Sequence, residues 1–235
     1  MNKILKLSSI ALLASSTSLM AQSKSFEGLS LGISASAVGV EASGSHTSNS
    51  GTTGRGSLGK VTEIAAVDLS YGYASSPNTI IQIGATYTPG KAKAGSGTFT
   101  DNVSSSGAST TSDGNLSLEV KDPYSIYIAP TYVISKDAAV YVKAGYAKAS
   151  TNTLATGNAT LSKKPEDLKG MVYAIGSKTM LTPNLYLGVE GSLTDYDTIT
   201  ATTAVGAEAG GTTGGKTIRA DVKAVQGTVT IGYKF

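Results

Sequence analysis

Gly210-Gly-Thr-Thr-Gly-Gly-Lys-Thr217 fits G-x-x-x-x-G-K-T, the loop whose backbone amides cradle phosphates. That chemistry needs a buried strand before the loop and a helix after it, whose N-terminus holds the anion. The segment that follows here alternates with a period of two, so a strand is expected. A loop of Gly, Thr and Lys makes such a match cheaply. His46 is the only histidine, and Ser43, Ser45, Ser48 and Ser50 surround it. A base beside hydroxyl nucleophiles is part of an acyl-transfer site, but a working site also needs a third group to orient the base. His46 is therefore read as a solvated loop residue. Asp101, Asp195 and Asp197 lack the dense acidic spacing of a calcium loop. The chain has no Cys, which excludes disulfides and thiolate metal sites. No catalytic residue, cofactor or metal is expected. Five other charged residues, Asp68, Lys143, Lys178, Glu190 and Lys234, fall on the polar side of alternating segments, and those segments must position them.

A strand sends successive side chains to opposite faces. Near the end of the sequence Val225, Gly227, Val229, Ile231, Tyr233 and Phe235 alternate with Gln226, Thr228, Thr230, Gly232 and Lys234. The pattern recurs from Leu29 to Ala37, Ala65 to Tyr73, Ile81 to Tyr87, Tyr124 to Tyr132, Val140 to Ala147, Met171 to Lys178 and Leu185 to Leu193. Eight such segments result. Ser75–Asn78, Ser135–Asp137 and Thr182–Asn184 read as tight turns. The other four connections, about 42–60, 90–115, 149–167 and 197–216, read as long polar loops. Three short turns opposite four long loops describe an all-β, eight-stranded antiparallel up-and-down transmembrane β-barrel with both ends on the short-turn side.

A soluble sandwich would also alternate. Charged residues make up only 15% of the chain, against about a quarter in soluble domains. No run of about 18 uncharged apolar residues offers a transmembrane helix. The polar face is rich in Gly, Ser, Thr and Ala, which suits a narrow lumen. Tyr124 and Tyr132 lie eight residues apart on the apolar face, roughly 21 Å along the membrane normal at barrel tilt. That matches aromatic girdles at both rims of an apolar band. Tyr71, Tyr73, Tyr233 and Phe235 would join the lower girdle, and Tyr87, Tyr146 and Tyr173 the upper. Pro130 inside a strand counts mildly against this, since it removes a ladder donor.

Residues 1–23 read as a secretory signal, with Lys3 and Lys6 ahead of an apolar stretch around Ile10–Ala14. Cleavage after Ala21 leaves Leu19 at the −3 position; cleavage after Ser23 places small residues at both required positions. Residues 24–235 then form the barrel. Without Lys3 and Lys6 the count is 17 basic against 16 acidic residues, so no nucleic-acid partner is expected.

The chain resembles the small outer-membrane barrels grouped as OmpA-like, OmpX-like or opacity-type. Phe26-Glu-Gly-Leu-Ser-Leu-Gly-Ile33, Tyr124-Ser-Ile-Tyr-Ile-Ala-Pro-Thr-Tyr132 and Ile231-Gly-Tyr-Lys-Phe235 carry the resemblance. It implies a monomer in the bacterial outer membrane, a barrel without a periplasmic domain, with lipid and lipopolysaccharide as surroundings. It implies periplasmic chaperones and the barrel-assembly machinery as partners in biogenesis, with Val229, Ile231, Tyr233 and Phe235 as the insertion signal. A non-enzymatic role in envelope integrity, adhesion or surface interaction follows as the expectation. The alternatives are a narrow channel for ions or small solutes, and a lipid A-modifying enzyme centred on His46. An eight-stranded lumen is just wide enough for side chains. Asp68, Lys143, Lys178, Glu190 and Lys234 are therefore expected to pair into an internal network that plugs it.

Overall fold

The computed structural model describes residues 23–47, 53–105, 108–157, 161–163, 166–203 and 217–235. The expected leader, up to residue 22, and the Gly210–Lys216 part of the phosphate-loop match lie outside the described residues. A short 3-10 turn, Ser23–Phe26, precedes ten strands: β1 Gly28–Thr47, β2 Thr53–Ser76, β3 Thr79–Tyr87, β4 Lys91–Ser105, β5 Ala108–Ser135, β6 Ala138–Gly157, β7 Leu161–Lys163, β8 Leu168–Met180, β9 Leu185–Thr203 and β10 Thr217–Lys234.

Eight strand paths close a ring in the order β10, β1, β2, β3, β5, β6, β8, β9, with β9 pairing back to β10. β4 continues the path of β3 and pairs with β5. β7 is a short addition to β9. Following the pairs once round from Gly32, through Asp68, Thr86, Ser125, Ala147, Gly170, Tyr196 and Val222, returns the path to Ala42. The stagger from 32 to 42 is ten residues over eight strands. At about 3.3 Å per residue and 4.8 Å between strands, the strands tilt by about 40°. Each step to the next strand therefore climbs about one and a quarter residues, which fixes the relative height of every side chain.

The lower rim is tight. Strands β2 and β3 turn at Pro77–Asn78, β5 and β6 at Lys136–Asp137, and β8 and β9 across 181–184. Val133 N–H donates to Asn78 O, Met180 N–H to Asp137 O and Lys234 N–H to Asn184 O, so each turn is stitched to a neighbouring strand. Pro130 is exposed on the outer face, opposite Ile81. Its missing N–H accounts for the gap in the β5–β6 pairs between Ile128↔Ala144 and Thr131↔Tyr141.

Pairing runs higher than the alternation predicts. Residues 42–47 and 53–60 lie in β1 and β2, much of 90–115 in β4 and β5, and 149–157 in β6. Residues 197–203 lie in β9. The expected loops are thus largely the upper arms of hairpins. The reason is an inversion of polarity. Between the tyrosine levels the outer face is apolar, with Leu29, Leu31, Ile33, Ile83, Ile126, Ile128, Ile175 and Ile231 exposed. Higher up, the same strands turn their apolar residues inward. Val38, Val40, Ala42, Val120, Ala149, Leu168, Val222 and Ala224 are buried and packed together. Their exposed neighbours on the outer face include Glu41, Ser43, Lys121, Lys169, Asp195, Asp221 and Lys223. A strand is apolar toward lipid below this level and apolar toward its own interior above it, where water surrounds it.

Arginine at outward Ile128, in the middle of the band, is expected to cost about 2–4 kcal/mol in urea titrations of the vesicle-folded protein. Arginine at outward Ser43, above the inversion, is expected to stay within about 0.5 kcal/mol of the parent.

Candidate functional site

The lumen is layered. At the bottom Phe26, Ile80, Val133, Ala139, Met180 and Tyr186 form a buried apolar cluster. Ile80 and Ala139 are fully buried. At the top sits the apolar layer of Val38, Val40 and Leu168. Between them lies a polar middle.

Register sets that middle. Asp68, Tyr127, Lys143 and Glu190 fall at one level on β2, β5, β6 and β9. Lys143 Nζ lies 2.6 Å from Glu190 Oε2 and 4.4 Å above the Tyr127 ring. Tyr141 donates its hydroxyl to Glu190 at 2.8 Å. Asp68 accepts from the Tyr127 hydroxyl at 2.8 Å and from Thr86 Oγ1 at 2.8 Å. Slightly lower, buried Lys178 donates to Gln82 Oε1 at 3.0 Å and lies 5.1 Å from the Tyr186 ring. The two acids balance the two lysines, so the layer carries no net charge.

Of the five inward charged residues that the alternation marks, four meet in this layer. Lys143 and Glu190 form its ion pair. Asp68 is bonded by hydroxyls and Lys178 by an amide. Lys234 stands apart at the lower rim, where its ammonium donates to Lys24 O. Tyr127, Tyr141 and Gln82 complete the layer, and the one sign of them in the sequence is that each is a polar or aromatic residue on the inward parity. The glycines on that parity make room for these rings. A Cβ on Gly84 would stand 2.5 Å from Tyr127 Oη, one on Gly176 would stand 2.5 Å from Tyr141 Oη, and one on Gly232 would collide with the Tyr186 ring. Each tyrosine therefore lies across the backbone of a neighbouring strand.

His46 is in β1, paired with Gly54 and Ile218, and not in a loop. The ladder carries it there because β1 and β2 continue above the inversion. Its side chain lies outside what the structure describes, as do Ser48 and Ser50. Ser43 is exposed and donates to Glu41. Among the described residues no group of His, Asp and Glu could hold a metal ion. Thr217 opens strand β10, so a strand and not a helix follows the phosphate-loop match.

One seam of the wall is incomplete. Among the described residues β2 pairs with β3 up to Val67↔Tyr87 and forms no ladder above it, although β4 runs close beside it there. Continuing the register would set Ala65 opposite Pro89, which has no N–H. The junction between β3 and β4 bonds instead to β5: Thr88 N–H donates to Pro123 O and Asp122 N–H to Gly90 O, while Gly90 N–H donates to Asp122 Oδ1 at 2.9 Å. Gly90 has a φ of 112°, a conformation that favours glycine. Behind this seam a cavity of about 360 Å³ occupies the middle of the lumen.

A closed antiparallel ring with an apolar belt, tyrosines at two heights and a polar middle to its lumen defines a transmembrane β-barrel. Residues 9–235 match the outer membrane protein beta-barrel domain family, and the chain belongs to it. It is a protein of the Gram-negative outer membrane. No curated protein matches the sequence. Among solved structures, the outer membrane protein OprG from Pseudomonas aeruginosa is 13% identical, with 89% of this chain and 97% of that one covered and a TM-score of 0.55. The attachment invasion locus protein Ail of Yersinia pestis is 15% identical, with 89% and 99% covered and a TM-score of 0.39. Neisserial surface protein A is 14% identical, with 89% and 100% covered and a TM-score of 0.36. The likeness to OprG speaks for the fold alone.

Glu190→Ala would leave Lys143 buried without its counter-charge. It is expected to cost about 3–5 kcal/mol by urea titration, and Lys143→Met in the same chain to recover much of that.

Proposed function

We propose that this protein is a non-enzymatic surface protein whose barrel anchors and stiffens four hairpins that act outside the cell, in envelope integrity or in adhesion. The observation that carries this reading is the inversion of polarity. Above the membrane band the strands keep pairing and enclose an apolar layer of their own, with Glu41, Lys121, Lys169, Asp195 and Lys223 turned to water. A barrel that served only to span the bilayer would have no use for that second core. The raised strands carry their upper ends beyond the lipid, and the connecting segments act from there. The apolar layers above and below, and the charge-balanced middle between them, favour a lumen that does not conduct along its axis.

In this reading Val229, Ile231, Tyr233 and Phe235 form the signal through which periplasmic chaperones and the assembly machinery handle the chain. All four face outward, and Tyr233 and Phe235 pack edge to face at 5.1 Å. The folded protein works as a monomer, in contact with lipopolysaccharide around its upper band.

The reading is tested by deleting residues 48–52 and 204–216. Cell-surface binding to host or abiotic surfaces should fall while heat-modifiable mobility on gels, the sign of a folded barrel, is retained. Planar bilayers should show no steady large conductance. Unchanged binding after deletion, or a stable open channel, would contradict it.

A further inference from the structure

The incomplete seam and the cavity behind it are the same feature. Among the residues lining the cavity, nearly all point into the lumen. The exceptions are Glu63, Ala65, Lys91 and Tyr124, which belong to the outer face, together with the junction residues Thr88–Gly90. Glu63, Ala65, Lys91 and the junction residues border the seam between β2 and the β3–β4 path, and Tyr124 lies one strand further on, in β5. The lining of the cavity therefore reaches the outer face at this place, where β2 and β4 lie close together without a ladder between them.

The height of the opening decides what could enter. Tyr87 and Tyr124 pair directly across β3 and β5 and belong to the upper tyrosine level. The seam opens immediately above them, at the boundary between the outer-leaflet acyl chains and their head groups. Just inside it the upper part of the cavity wall is apolar, with Val38, Val40, Ile64 and Val120, above the polar layer of Asp68, Lys143 and Glu190. Just outside it two lysines sit side by side, Lys91 paired with Lys121 across β4 and β5. At nearly the same height Lys148 pairs with Lys169 on the next two strands. Like charges opposite each other on adjacent strands repel unless an anion joins them. Within this row Lys121 is 3.6 Å from Asp122 and Lys148 is 3.4 Å from Asp167. Lys91 and Lys169 have no carboxylate partner among the described residues. Glu63 lies on the opposite lip of the seam, so a negative head group is drawn to the β4–β5 side.

We propose that this seam is a lateral binding site for an anionic amphiphile of the outer leaflet. Its acyl chain enters between β2 and the β3–β4 junction to lie against Val38, Val40, Ile64 and Val120, and its head group rests on Lys91 and Lys121. The break in the ladder is built in by Pro89, by Gly90 and by the bonds that tie the junction to β5. A cavity of this size is within the range of small-ligand pockets. The chain could be that of a free fatty acid or of a membrane phospholipid, since the two share this chemistry.

The test is photocrosslinking of the full-length protein folded in phosphatidylcholine vesicles, with labelled residues read by mass spectrometry. Three diazirine-tailed probes are compared: palmitate, phosphatidylglycerol and phosphatidylcholine. Adducts at the inward positions Val38, Val40, Ile64 or Val120 are expected with palmitate, with phosphatidylglycerol or with both. Whichever of the two labels them identifies the source. Their yield should be at least fivefold above that with phosphatidylcholine. The double variant Lys91→Glu/Lys121→Glu, altered only at exposed positions, should remove that preference. Ile64→Trp should block the inward adducts while heat-modifiable mobility persists. Adducts confined to lipid-facing residues such as Ile83 and Ile126 with every probe would overturn the lateral site. Equal inward labelling by all three probes would overturn the role given to the lysines.

Discussion

A backbone amide in hydrocarbon has no water to bond, and each one left unpaired there costs several kcal/mol. Everything else in this molecule is arranged around that constraint. The eight strand paths satisfy it by closing on themselves, so that Gly32 leads round the ring to Ala42 and no edge is left within the apolar band. Closure at a stagger of ten fixes the tilt, and the tilt fixes which inward side chains share a level. Lys143 meets Glu190, and Asp68 meets Tyr127, because the ladder carries four distant stretches of sequence to one height. The network is thus a consequence of the register before it is a consequence of charge.

The same constraint explains where the wall can be interrupted. At Val67↔Tyr87 pairing between β2 and β3 stops, and it stops at the level of the upper tyrosines. Below that height unpaired β2 backbone groups would face acyl chains. Above it they are within reach of water and head groups, and the cost falls. Pro89 would contribute no N–H even if the ladder continued, and the hydrogen bonds of the junction all go to β5. The break in pairing therefore falls where a barrel can have one without losing its closure.

Much of this was legible in the sequence, and the misses have physical reasons. The eight alternating segments are the ones that cross the apolar band, since lipid on one side and a narrow lumen on the other impose a strict period of two. The upper arms were read as loops because the band ends there. Outward Glu41, Ser43 and Ser45 and inward Val38, Val40 and Ala42 keep the period but exchange its sense, so a search for apolar residues on one parity stops at Ala37. Abundant Gly, Ser and Thr then look like loop composition. The charged members of the lumen were visible on the inward parity, yet their partners were not. Whether Lys178 finds a carboxylate or Gln82 depends on stagger, which a single sequence does not reveal. Lys234 shares the parity and lies too close to the lower rim to join. The seam was invisible for the same reason, because it is an absence of pairing between β2 and β4.

The exchange of polarity along each strand carries the account, for it ties the band, the apolar upper core and the raised hairpins together. The chain has no cysteine, so single cysteines can be placed at successive outward positions of β1 in the vesicle-folded protein and challenged with a membrane-impermeant maleimide. Cysteine at Leu29, Leu31, Ile33 or Ala35 should remain protected, and cysteine at Glu41, Ser43 or Ser45 should label fully. Labelling at Ile33, or protection at Ser43, would contradict the proposed boundary and the barrel arrangement that rests on it.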